Sequence, residues 1–172
     1  MINTRIRSGA LMAGIGLGAL AEGVVFSELL QWHGMLSTAM PPDSVDALRV
    51  SLAAGGMFHA VAWLMVLAGV AALWSAFGRP GTLPATPVFV GYLALGWGWY
   101  NLVEGIINHH FLQLHHVRDL PQHVRLLDWL YLLVGGGLIV LGLVLSRKKV
   151  DRKISDRRAG YERRGTGPML ER

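Results

Sequence analysis

Four long stretches of this chain are almost purely apolar, and its ionisable residues gather between and after them. The stretches are residues 8–31, 50–77, 85–107 and 124–146. A bilayer core needs about 20 mostly apolar residues per helix, so each stretch is long enough to cross one. Residues 63–72 and 131–145 are apolar on every face, which a soluble amphipathic helix is not. The pattern predicts an all-α polytopic membrane protein, a bundle of four transmembrane helices over residues 1–146. Residues 147–172 mix Arg with acids, Gly and Pro without a hydrophobic period and are expected to form a disordered basic tail.

Composition agrees. Hydrophobic residues make up 52% of the chain and charged residues 16%, against about 25% charged in soluble domains. Cysteine is absent, which removes disulfides, thiolate metal sites and iron–sulfur clusters. The net charge of +5 would suit nucleic acid, but ten of the sixteen Lys/Arg lie from Arg147 onward. A basic tail beside apolar segments is a topology signal, so no nucleic-acid partner is expected.

The same rule sets the orientation. Arg5 and Arg7, Arg79 in the short loop 78–84, and Arg147, Lys148, Lys149, Arg152 and Lys153 fall on one side of a four-span chain. That side is expected to be cytoplasmic, with both termini there and the protein multi-pass in the inner membrane. Arg5 and Arg7 before an apolar run also resemble a signal peptide. The run is longer than a usual signal core, and acids and Trp32 follow it, so an uncleaved first span is expected. The lipid bilayer is an expected partner. Gly14 and Gly18 form a small-xxx-small pair that serves a compact bundle or a homo-oligomer. Residues 16–21 imitate a dinucleotide fingerprint, but no strand precedes them and they lie inside a span. No convincing internal repeat emerges from the residues.

Ionisable groups inside a membrane are costly and point to function. At about 1.5 Å per residue, Glu22 and His59 each lie roughly 14 Å below the outer ends of their spans, and Glu104, one turn after Asn101, roughly 5–10 Å below its own. His33 closes the first span, and His109, His110, His115, His116 and His123 crowd the second outer loop. All seven histidines therefore fall in the outer half. On one helix, Asn101, Glu104, Asn108 and His115 would share a face, with His109 and His116 on its neighbour. Imidazole with carboxylate suits divalent Zn, Cu, Fe, Mn or Ni. The expected metal ligands are Glu22, His33, His59, Glu104, His109, His115 and His116, with Asn101 orienting Glu104. Blander readings are a protonated Glu22 or a Glu22–His59 pair, solvated His110 and His123, wet Glu28 and Gln31, and an Asp128–Arg125 surface pair. Neither a Glu-x-x-His nor a His-Glu-x-x-His motif is present.

Residues 16–37 (GLGALAEGVVFSELLQWHGMLS), 55–60 (GGMFHA) and 97–118 (WGWYNLVEGIINHHFLQLHHVR) resemble a family of bacterial integral membrane proteins catalogued as domain of unknown function 2243. The resemblance implies four membrane helices. It also implies motif positions at Glu22, Gln31, Trp32, His33, His59, Asn101, Glu104, His109, His110, His115, His116, His123 and Asp128. The family pattern has Asp where Glu22 stands, His where Ser27 and Gly34 stand, and Asp where Gly55 and Asn108 stand. Four ligand-type groups are thus replaced, which implies a different ion or a lost activity.

The leading expectation is a membrane protein with an outward-facing divalent-metal site, in metal handling or as an assembly partner of a respiratory oxidase. The alternatives are a hydrolytic or redox membrane metalloenzyme, a haem-binding bundle and a proton-handling element.

Overall fold

A computed structural model describes residues 4–77 and 84–147. Among the described residues all regular structure is helical. Helix α1 (Thr4–Glu22) passes directly into a π-helical turn (Gly23–Leu29). Helix α2 (Val45–Phe77) follows, then α3 (Thr86–Glu104), which passes into a second π-helical turn (Gly105–Phe111), and finally α4 (Arg125–Ser146). Ser44 caps α2 by accepting the Ala47 N–H at 3.2 Å, and a proline opens α3, where its missing N–H costs nothing. The loop around Arg79 and the basic tail beyond Arg147 lie outside the described residues.

The helices lie in the order α2–α1–α3–α4. Three are long and apolar enough to cross a membrane: Thr4–Leu29, Val45–Ala76 and Arg125–Ser146. Helix α3 falls short of that measure because it carries Gly, Tyr, Asn and Glu along its length. It packs between α1 and α4, so neighbours rather than lipid meet much of its surface. Helices α2 and α4 instead turn large apolar side chains outward, among them Trp63, Leu67, Trp74, Leu133 and Val144. Such surfaces suit hydrocarbon.

An internal pseudo-two-fold organises the fold, contrary to the expectation of no repeat. Residues 22–33 (EGVVFSELLQWH) pair with residues 104–115 (EGIINHHFLQLH) at constant spacing. In each copy the helix widens into the π turn after Glu-Gly. In each, equivalent amides close the turn: Leu30 N to Val25 O at 2.9 Å and Leu112 N to Ile107 O at 2.7 Å. Gln31 and Gln113 both take left-handed backbone, with φ of 52° and 51°. The loops then exchange bonds. Thr38 N–H donates to Leu114 O at 3.0 Å, and Leu120 N–H donates to Trp32 O at 2.8 Å.

Glycine sets the spacing of the two central helices. A Cβ on Gly14 would run into the Leu93 carbonyl, and one on Gly96 into its counterpart, the Leu11 carbonyl. Backbones this close need hydrogen at both positions. A Gly96→Val variant is expected to lose about 1–3 kcal/mol of stability through overpacking, read as a lower unfolding temperature in detergent. Gly136→Ala, where a Cβ meets nothing, should leave that temperature within a degree or so. Equal effects would mean that the α1–α3 approach does not limit stability.

Candidate metal centre

The two π turns place Glu22 and Glu104 at the end of the central helix pair and bring His33 and His115 back over them. The His33 Nε2 lies 2.9 Å from Glu22 Oε1, and the His115 Nε2 lies 3.1 Å from Glu104 Oε1 and 4.0 Å from Glu22 Oε1. The two imidazoles stack with centroids 4.5 Å apart. His109, on the second π turn, places its Nε2 3.2 Å from Glu104 Oε1. All five side chains are buried.

The opposite ring nitrogens decide the chemistry. His33 Nδ1 lies 3.1 Å from the Val117 carbonyl, and His115 Nδ1 lies 3.1 Å from its counterpart, the Met35 carbonyl. A carbonyl only accepts, so Nδ1 carries the proton in both rings. A neutral ring then points the bare Nε2 lone pair at a carboxylate oxygen, which is repulsive unless a proton or a cation lies between them. The same arrangement, Nδ1–H on a backbone carbonyl with Nε2 free, is how proteins orient metal-ligating histidines. Glu22 Oε1, both Glu104 oxygens, both His109 nitrogens and His115 Nε2 are buried without a hydrogen bond. Buried polar atoms are ordinarily satisfied, so this set is chemically incomplete without a positive charge.

Two ligand triads result, Glu22/His33/His115 and Glu104/His109/His115, each with its donor atoms within 4.8 Å of one another. Residue types and proximity thus fit a metal ion, and the hard–borderline donor set fits a divalent one. Burial pushes the His33 imidazolium down, but the Glu22 carboxylate beside it outweighs that and leaves its pKa raised. Tyr100 donates to Glu22 Oε2 at 3.2 Å. Beside the carboxylates lie two mostly apolar clefts of about 310 and 320 Å³, one reaching Glu22 and the other Glu104.

The remaining expected ligands part company. His116 stands with His123 and Asp128 in a third triad. Burial pushes its imidazolium below 6.5, with Asp128 pulling the other way. His59 joins none of the three triads found among the described residues. Its ring packs against Gly23, where α1 becomes the π turn, and at the equivalent Gly105 the neighbour is Leu132. His59 therefore fills a packing niche that an apolar residue fills in the other half. Asn101 is buried one turn from Glu104, but neither Glu104 carboxylate oxygen accepts a hydrogen bond, so the Asn101 amide makes none to it. Asp128 is no surface partner of Arg125: it is 2% exposed and accepts the Val117 N–H at 2.9 Å. Its position near the start of an apolar helix carries no signal of that burial. His110 is held by a contact of 2.9 Å between its Nδ1 and the Gly105 carbonyl.

The model of a family described as Predicted membrane protein (DUF2243) matches residues 8–149. The chain belongs to this family. The matched DUF2243 region includes all four helices except the first turn of α1, and every residue of the three triads. No curated protein and no solved structure matches.

Asp119 ties the loops of this DUF2243 protein across the pseudo-two-fold. Its Oδ2 accepts from the Ser37 hydroxyl, from the Thr38 hydroxyl at 3.0 Å and from the His116 N–H at 3.3 Å. Asp119→Ala is expected to lower stability by about 1–3 kcal/mol and to speed amide exchange in residues 34–38 and 116–120. Unchanged exchange there would show that the carboxylate does not hold the loops together.

Proposed function

We propose that this membrane protein holds a divalent first-row transition metal in the Glu22/His33/Glu104/His115 cluster, with His109 as a further donor. The observation that carries the reading is the pair of histidines whose Nδ1 atoms lie 3.1 Å from backbone carbonyls while Nε2 faces a buried carboxylate. Two buried carboxylates without compensation would each cost several kcal/mol, and a divalent ion supplies two positive charges at that point. Imidazole and carboxylate without thiolate favour Zn, Fe, Mn, Ni or Cu(II) over Cu(I).

The positive-inside rule, applied to Arg5, Arg7 and Arg147, puts the cluster at the non-cytoplasmic end of the bundle. A membrane protein that presents a metal near that surface is suited to receiving, holding or passing on an ion. Oxidase assembly is one setting for this role.

Element analysis of untagged protein purified in detergent is expected to find metal that Glu22→Gln/Glu104→Gln loses. The Gln side chains keep the volume and remove the charges. Changing only the groups that hydrogen-bond metal ligands weakens metal sites about 10–100-fold, so losing both carboxylates should weaken binding at least about 100-fold. If the double variant keeps the cluster's metal, the reading is wrong. A wild-type cluster that stays metal-free after exposure to Zn, Fe, Mn, Ni and Cu would instead leave protons as the compensating charge. The cluster would then be a proton-handling network.

A further inference from the structure

A second constellation lies beside the central cluster and is used by nothing described so far. His116 Nδ1 is 3.2 Å from Asp128 Oδ2, and His123 Nε2 is 2.8 Å from the same oxygen. The two imidazoles stack with centroids 3.8 Å apart and planes 16° from parallel. The three donor atoms lie within 4.8 Å of one another. Asp128 Oδ1 is fixed by the Val117 N–H at 2.9 Å, which leaves Oδ2 to the histidines. His123 can give Oδ2 a proton, but His116 Nδ1 is buried without a hydrogen bond. Two rings aimed at one oxygen, with one nitrogen unsatisfied, form a donor set awaiting a cation. A polar cavity of about 350 Å³ opens onto these side chains. Water occupies about 30 Å³ in the liquid, so an ion here has room for water ligands.

The pseudo-two-fold supplies an internal control. The spacing that pairs Glu22 with Glu104 pairs Ser27 with His109 and Gly34 with His116. For the flanking helices, Gly16 meets Ala62 where Gly98 meets Gly135, and Gly9 meets Gly69 where Gly91 meets Gly142. Two turns before Ala62 stands Gly55, and two turns before Gly135 stands Asp128. Three polar side chains of the C-terminal half thus correspond to Ser27, Gly34 and Gly55 in the N-terminal half. A cavity of about 290 Å³ whose lining includes those three residues lies where the other half has its cluster. The N-terminal half nevertheless forms the same π turn, the same left-handed glutamine and the same exchanged loop bonds. The fold therefore does not need His116 or Asp128 for its own construction.

We infer that His116, His123 and Asp128 form a second, solvent-open site for a divalent transition-metal cation, present in the C-terminal half only. Two imidazoles and one carboxylate take Zn, Fe, Mn, Ni or Cu(II), with the open positions left to water or an exogenous ligand. His109 stands between the two sites, with Nε2 3.2 Å from Glu104 and Nδ1 3.6 Å from Asp128. The ions would thus be close neighbours.

The test loads chelator-stripped full-length protein by dialysis against Zn²⁺ and counts bound zinc by element analysis. Wild type is expected to hold two equivalents. His116→Ala/His123→Ala is expected to hold one, and Asp128→Asn likewise. Asn keeps the oxygen that accepts the Val117 N–H, so this second variant preserves the fold should the first not. An undiminished zinc count in either folded variant overturns the inference. Loss of this equivalent with the central one intact, or the converse in Glu22→Gln/Glu104→Gln, separates the two sites. If the central variant keeps all its zinc while His116→Ala/His123→Ala loses one, the central reading falls and this one stands. If only the central equivalent exists, this one falls alone.

Discussion

Two carboxylates buried side by side at the end of a helix pair are the constraint around which this structure is arranged. A charge in that position is tolerable only with an opposite charge and satisfied hydrogen bonds. Each half of the chain supplies part of the answer to the other. Val117, in the second loop, provides the carbonyl for His33, and Met35, in the first loop, provides the carbonyl for His115. Neither half-site is oriented without its partner, so loop exchange, helix contact and cluster geometry form one cooperative unit.

The π turns make this reach feasible. A π turn inserts an extra residue into the helical repeat and is often found at functional sites. Here it widens the helix directly after each glutamate, and the chain then reverses through a left-handed glutamine. That path returns the histidine eleven residues later to the carboxylate that began it. Gly23 and Gly105 allow the widening because His59 and Leu132 press against them where a Cβ would stand. Deeper in the bundle, Gly14 and Gly96 bring the central helices close enough for the two glutamates to meet a shared histidine, His115.

Much of this architecture was legible in the sequence because hydrophobic length is a strong signal. All four apolar stretches became helices, and the histidines that the sequence concentrates at one end of the bundle include those that meet Glu22 and Glu104. Azimuth was not legible. Depth alone grouped His59 with Glu22 and Glu104, whereas in the structure His59 faces Gly23 and Leu132 does the equivalent work. Asp128 was hidden for a related reason. An acid in the first turn of a helix usually faces water, and only the fold-back of residues 116–123 buries it. The repeat has a weak sequence signal because its two copies share only Glu, Gly, Leu, Gln and His and differ elsewhere.

Those differences have a direction. Positions that hold the scaffold together carry similar residues in both halves: the Glu-Gly junction, the glutamine of the turn, and the glycines that meet a facing carbonyl. The halves diverge at several positions, and three of these, Ser27 against His109, Gly34 against His116 and Gly55 against Asp128, border the outer cavities. Where one added methyl group would force a backbone shift, the glycine pairs Gly9/Gly91, Gly14/Gly96 and Gly16/Gly98 are retained. Ligand-type side chains differ across the cavity walls over this shared backbone frame, which separates two tasks of the chain. The duplicated frame builds the central cluster symmetrically, and the side chains around it assign different chemistry to its two sides.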